Sequence, residues 1–142
     1  MKSQRFGIEI EMTGLTRRSA ALIIAKHFDT GFRHERGVYD TYSVCDQDGR
    51  KWKIVRDASI TPQCGNRFDY DPDYKVEVVS PICHYEDIET IQSIVRELRR
   101  NGHAKVNESC GIHIHVDASK HTARSLRNIA NIMYSKEDLI FK

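Results

Sequence analysis

Phe6-Gly7-Ile8-Glu9-Ile10-Glu11-Met12 is the stretch on which the fold of this chain turns. Apolar and non-apolar side chains alternate through it without a break, and a period of two marks a β-strand with one buried face. The spacing predicts that Phe6, Ile8, Ile10 and Met12 enter a core while Glu9 and Glu11 share the opposite face. Just downstream the period changes. Ala20, Ile23, Ile24 and His27 recur at helical spacing, and Thr16 is placed to cap a helix over about Arg17 to Phe28.

The same reading extends along the chain. Asp29 to Gly37 reads as loop, and Val38 to Val44 and Trp52 to Arg56 are β-rich runs joined through Asp48-Gly49, a hairpin signal. Thr61 to Asp73 is rich in Pro, Gly, Asn and Asp and reads as a surface loop; Tyr74 to Val79 resumes as a strand closed by Ser80-Pro81. Between Tyr85 and Arg100 the stripe Ile88, Ile91, Val95 and Leu98 predicts a helix with a left-handed stop at Asn101-Gly102. Ala104 to Val106 and Cys110 to Val116 then predict a second hairpin about Asn107-Glu108-Ser109, followed by a helix from about Thr122 to Tyr134. Strands joined by hairpins, with helices between them, imply an α+β fold: an antiparallel sheet with helices packed on one face. Ser135 opens a new capped apolar pattern that stops after barely a turn, so residues 1–142 are expected to be the N-terminal part of a single longer catalytic domain.

Composition narrows the function. A chain of 142 residues that is 39% hydrophobic can build one domain with a real core. Its 22 basic and 20 acidic residues nearly cancel, which argues against a nucleic-acid surface. No apolar run resembles a signal peptide or spans a bilayer, so no membrane partner is expected. Cys45, Cys64, Cys83 and Cys110 form no Cys-x-x-Cys pair and read as reduced thiols of a cytoplasmic protein.

Residues two apart on a strand project from one face roughly 6.5–7 Å apart, so Glu9 and Glu11 can share a divalent ion or hold neighbouring ones. Carboxylates suit Mg²⁺ and Mn²⁺. By itself, Glu-x-Glu is more often the solvated face of a strand. Cys110-Gly111-Ile112-His113-Ile114-His115-Val116-Asp117 alternates in the same way, with His113, His115 and Asp117 on its polar face. Glu77 projects opposite Val76 and Val78 from a third strand. If the three strands share a sheet, one surface carries Glu9, Glu11, Glu77, His113 and His115. Asp57 can add a ligand or a supporting hydrogen bond, although a turn-forming Asp explains it as well. Lys53, Arg56 and Lys75 can neutralise phosphate, and surface solubility explains them equally. Trp52 and the tyrosines read as packing.

Together, Phe6 to Gly14, Asp57-Ala58-Ser59-Ile60, Glu77-Val78-Val79-Ser80-Pro81 and Cys110 to Val116 resemble the ordered motifs of the amidoligase family. That family is similar to the carboxylate–amine ligases, glutamine synthetase and glutamate–cysteine ligase among them. The resemblance implies a glutamine synthetase-like catalytic fold and ATP-dependent amide formation, in which a carboxylate is phosphorylated and an amine attacks the acyl phosphate. It assigns Glu9, Glu11 and Glu77 to a Mg²⁺ or Mn²⁺ site, and His113 and His115 to the nucleotide–metal face, with Asp57 as a further ligand. Substrates would be small-molecule or peptide carboxylates and amines. Members of the family are longer, so this chain is expected to be inactive alone, or to self-associate through an open edge or apolar patch. Two other readings stand beside it. One is a metal-dependent hydrolase using His113-x-His115-x-Asp117 with His121 nearby; the other is a non-catalytic binding module.

Overall fold

The computed structural model describes residues 3–65, 67–68 and 70–140. Its centre is a six-stranded, wholly antiparallel sheet built from β1 (Phe6–Met12), β2 (Phe32–Arg36), β3 (Thr41–Cys45), β4 (Lys51–Val55), β7 (Val76–Val79) and β8 (Ile112–Val116), in the order β2-β3-β4-β7-β1-β8. Two-residue strands β5 (Gln63–Cys64) and β6 (Arg67–Phe68) form a small separate ribbon. The α+β class and the antiparallel sheet agree with the alternation in the sequence.

Two helices, α1 (Arg17–His27) and α2 (Ile88–Gly102), cover one face of the sheet. Alternation explains which face. Met12, Val44, Trp52, Ile54, Val76 and Val78 all point under the helices and join Ala20, Ala21, Ile24, Ile91, Ile94 and Leu98 in one core. Trp52, 1% exposed, packs near Phe28 with ring centroids 5.6 Å apart, and its Nε1–H donates to Asp46 Oδ2. Thr16 caps α1 by accepting the Ser19 N–H, as its position predicts.

Several boundaries differ from the sequence reading. The segment read as loop contains β2, whose charged Arg33-His34-Glu35-Arg36 hides its period; Phe32 is its one partly buried apolar residue. Val38 and Tyr39 lie outside β3 in an exposed turn. Within the stripe of α2, Ile91, Ile94 and Leu98 are the buried residues, and Ile88 and Val95 flank them. The left-handed residue that ends α2 is His103, at φ 58°, rather than Gly102. Gly102 serves packing: a Cβ there would lie 2.8 Å from methyl carbons of both Leu15 and Ile23. Ala104 to Val106 forms no hairpin with β8, because Lys105 pairs with Thr13 at the end of β1. One helix, α3 (Ala123–Ile140), runs straight through Ser135, so no new element starts there. It does not pack on the sheet with the other two helices, and residues 126–139 are exposed.

Arg17 is a buried residue that the periodicity did not flag. Its guanidinium, 3% exposed, bonds Asp40, Asp73 and the carbonyls of Pro72 and Lys75. A buried cation is tolerable only with its donors satisfied, and this set ties the start of α1 to the turn that launches β7.

A candidate metal centre on the open face of the sheet

The face away from the helices is where the chemistry collects. β1 lies between β7 and β8, and the register sets Glu11 beside Glu77 and Glu9 beside His113. Gly7 lies beside His115, which places His115 on the same face. Cross-strand partners share a face, so Glu9, Glu11, Glu77, His113 and His115 all project from one surface. Asp57 reaches them from the turn after β4.

Two overlapping groups emerge. In one, Glu9, Glu77 and His113 bring a ligand atom each to within 4.8 Å of one another; in the other, Glu11, Asp57 and Glu77 do the same. Glu77 belongs to both. His115 stands beside the first group, its Nε2 3.2 Å from Glu9 Oε1, while His113 Nδ1 is 3.1 Å from Glu9 Oε2.

The electrostatics follow from this crowding. Burial, reinforced by the charges of Glu9, Asp57 and Glu11, pushes the Glu77 carboxyl up to about 7. Glu9 moves the other way, held below the usual carboxylate range chiefly by its hydrogen bond to His113, whose imidazole is correspondingly raised. Asp57 is lowered, first by the Ser59 N–H and then by the Ser59 hydroxyl, both 2.7 Å from its Oδ1. Glu11 is held by the Gly111 N–H, which donates to Oε2 at 2.6 Å. Sequence reasoning missed Ser59 and Gly111 as supports, although Asp-x-Ser is an Asx-turn signal that marks the first.

The three predicted phosphate cations separate. Lys75 Nζ donates to the Ala58 carbonyl at 2.7 Å and so anchors the Asp57 turn. Arg56 donates to the Val38 carbonyl. Lys53 stays on the open face in a row with Val79, Glu9 and His113; its side chain makes no hydrogen bond or ion pair among the described residues, and its charge bears on Glu35. Nor does the His-x-His-x-Asp cluster assemble. Asp117 is bound to Arg5 at 2.7 Å and His121 faces Ser125; among the described residues neither joins a group able to hold a metal. An open cleft of about 340 Å³, lined by Phe6, Ile8, Glu9, Ile82, His115 and Val116 among others, borders the centre.

The fold is that of an α+β protein with an open sheet face of carboxylates and imidazoles over a helix-covered core, on which two groups of side chains are spaced so that they could hold a metal ion. The chain belongs to the amidoligase family: residues 2–142 match the family described as "putative amidoligase enzyme". No curated protein and no solved structure matches it. No helix of the described residues is long and apolar enough to cross a membrane.

Proposed function

We propose that this protein is an ATP- and Mg²⁺-dependent carboxylate–amine ligase of glutamine synthetase-like type. The observation that carries the reading is the pair of carboxylate groups sharing Glu77. The donor set fits hard cations: four carboxylates and one imidazole, with no thiolate, suit Mg²⁺ or Mn²⁺ better than soft metals. Glu9, Glu77 and His113 would hold one ion, and Glu11, Asp57 and Glu77 a second. Bound there, the ions would neutralise phosphate oxygens and the charge that grows on them during phosphoryl transfer.

The chain's own residues supply the rest. Ser59 and Lys75 fix the Asp57 turn, and Gly111 fixes Glu11, so the ligand oxygens are held before any ion arrives. Lys53, standing in the row of Glu9 and His113, is positioned to meet phosphate that extends along the sheet. In the overall reaction a carboxylate oxygen attacks the γ-phosphorus of ATP and ADP leaves. The amine nitrogen then attacks the acyl phosphate, inorganic phosphate departs, and the amine gives up a proton.

Hydroxylamine, which traps acyl phosphates as hydroxamates, provides the test. With ATP, Mg²⁺ and a panel of amino acids and dicarboxylic acids, the protein should release ADP and form hydroxamate only when an acid is present. Glu77→Ala should abolish both. Hydroxamate formation independent of ATP, or ADP release unaltered in Glu77→Ala, would overturn the proposal.

A further inference from the structure

Gly7 is a glycine that the fold does not require. It lies inside β1, where the lack of a side chain weakens a strand. Its backbone is not left-handed, unlike that of Gly14, Gly37, Gly49 and Gly65. Nor is it crowded, since a Cβ built there would meet only the Cβ of His115, at 3.9 Å. The bulge beside it belongs to the neighbouring strand. What remains is the other use of glycine in a strand, to let a ligand approach closely.

The cleft of about 340 Å³ that borders the metal centre surrounds this position on the open face: Arg5 and Glu9 stand before and after it, His115 and Asp117 on one side, Val79 and Pro81 on the other. Two residues, Pro81 and Ile82, stand opposite Gly7, because the Ser80 N–H donates to the Ile8 carbonyl while Phe6 pairs next with Cys83. Bulges of this kind re-aim side chains beside sites, and Ile82 is 63% exposed. The polar atoms of this wall are satisfied among themselves: Ser80 Oγ accepts the Ile8 N–H at 2.9 Å and donates to the Pro81 carbonyl at 2.8 Å. Val79, Pro81 and Ile82 are left as an apolar wall.

Charge decides what enters. Glu9 closes the inner end, with Glu77 in its own group and Glu11 and Asp57 in the next. His113 and His115 lean on Glu9, but the four carboxylates outnumber the two imidazoles. Lys53, in the same cross-strand row, lies beyond Val79 on the second strand over. At the outer end Arg5 is committed to Asp117 at 2.7 Å. A carboxylate would therefore meet like charge at the inner end, whereas an ammonium is drawn there. The four residue steps from Arg5 to Glu9 span roughly 13 Å of extended chain, room for an alkyl or aryl body behind that ammonium.

We propose that the cleft over Gly7 binds a primary amine with an apolar body, its ammonium at Glu9 and its chain or ring against Val79, Pro81 and Ile82. That this amine is joined to an acid rests on the function proposed above; its binding does not.

Titrations followed by NMR, in EDTA at neutral pH, test this with n-hexylamine, methylamine and hexanoate as probes. The wild type should bind n-hexylamine at least about tenfold more tightly than methylamine, well within what burial of the longer chain supplies. Hexanoate, of matching length and opposite charge, should bind as weakly as methylamine. Gly7→Val, which fills the floor with a good strand former, should weaken n-hexylamine by about tenfold or more while keeping the circular dichroism spectrum and the Mn²⁺ affinity. Ile82→Ser, a change to an exposed side chain, should weaken it severalfold, and decides the matter if Gly7→Val misfolds. Hexanoate bound as tightly as n-hexylamine would overturn the choice of an amine, and methylamine bound as tightly would overturn the apolar wall. Affinity for n-hexylamine unchanged in a folded Gly7→Val, or in Ile82→Ser, would place its binding elsewhere and overturn the site. Any of these in a protein that forms hydroxamate would leave the ligase reading standing. Binding as expected in a protein that forms no hydroxamate would uphold the cleft and overturn the ligase.

Discussion

At Glu77, a carboxyl that burial and three neighbouring carboxylates push from about 4.5 up to about 7 changes what pH does to the fold. Between those values the folded protein holds a proton that the unfolded chain has released. Stability should therefore be full below about 4.5, fall as pH rises toward 7, and level off above it. The loss should be on the order of 1–3 kcal/mol for a shift of this size. Glu77→Gln, which stays neutral, should remove that slope and melt at a higher temperature than the metal-free wild type at pH 8; thermal melts across this range will show it. Glu9 and Glu11 act differently. Glu9→Gln and Glu11→Gln should each weaken Mn²⁺ binding by at least the ~10–100-fold typical of losing a supporting partner, since each removes a ligand charge outright. Stability should barely change, because glutamine keeps a carbonyl oxygen for the Gly111 N–H at position 11, and position 9 is partly exposed. Calorimetric affinities unchanged in both variants would remove these residues from the centre.

Two glycines show how elements are joined rather than how they form. Gly14, at φ +87°, turns the chain out of β1, and a Cβ there would lie 2.8 Å from the His103 carbonyl oxygen. Neither the backbone angle nor the carbonyl can give way easily, so Gly14→Ala should cost roughly 1–3 kcal/mol. In Gly102 the obstruction is the ends of two flexible side chains, and alanine favours the helix by up to about 1 kcal/mol. Gly102→Ala should therefore be the milder change, and urea titrations will rank the two. Both glycines are plain in the sequence, yet Asn101-Gly102 looked like a helix stop. The period of α2 was legible because Ile91 and Leu98 repeat at helical spacing. What approaches its last turn was not, because Leu15 and Ile23 come from another part of the chain. The strand β2 was missed for a related reason: an edge strand solvated on both sides leaves no apolar alternation to detect.

For the molecule as a whole, ion binding and proton binding compete at one place. Saturating Mn²⁺ should raise the melting temperature, by the equivalent of about 2.7 kcal/mol at a hundredfold excess over Kd. At one fixed Mn²⁺ concentration the gain should be larger at pH 8 than at pH 6, because at the lower pH the ion must displace a proton from Glu77 and another from His113, which raises its Kd. Scanning calorimetry at the two pH values checks this; an equal gain at both would separate those groups from the ion. The sequence by itself determined the faces. A period of two is a local property of the backbone, so Glu9 and Glu11 had to oppose Ile8 and Ile10, and His113 and His115 had to oppose Ile112 and Ile114, whichever strands became their neighbours. Tertiary structure decided the neighbours. The order β4-β7-β1-β8 sets Glu77 against Glu11 and His113 against Glu9, and it swings the Asp57 turn over the same spot. The order of the core strands depends on burying the apolar faces of β1, β3, β4 and β7 under α1 and α2 at once, a condition spread over residues from Met12 to Leu98 that no local pattern contains.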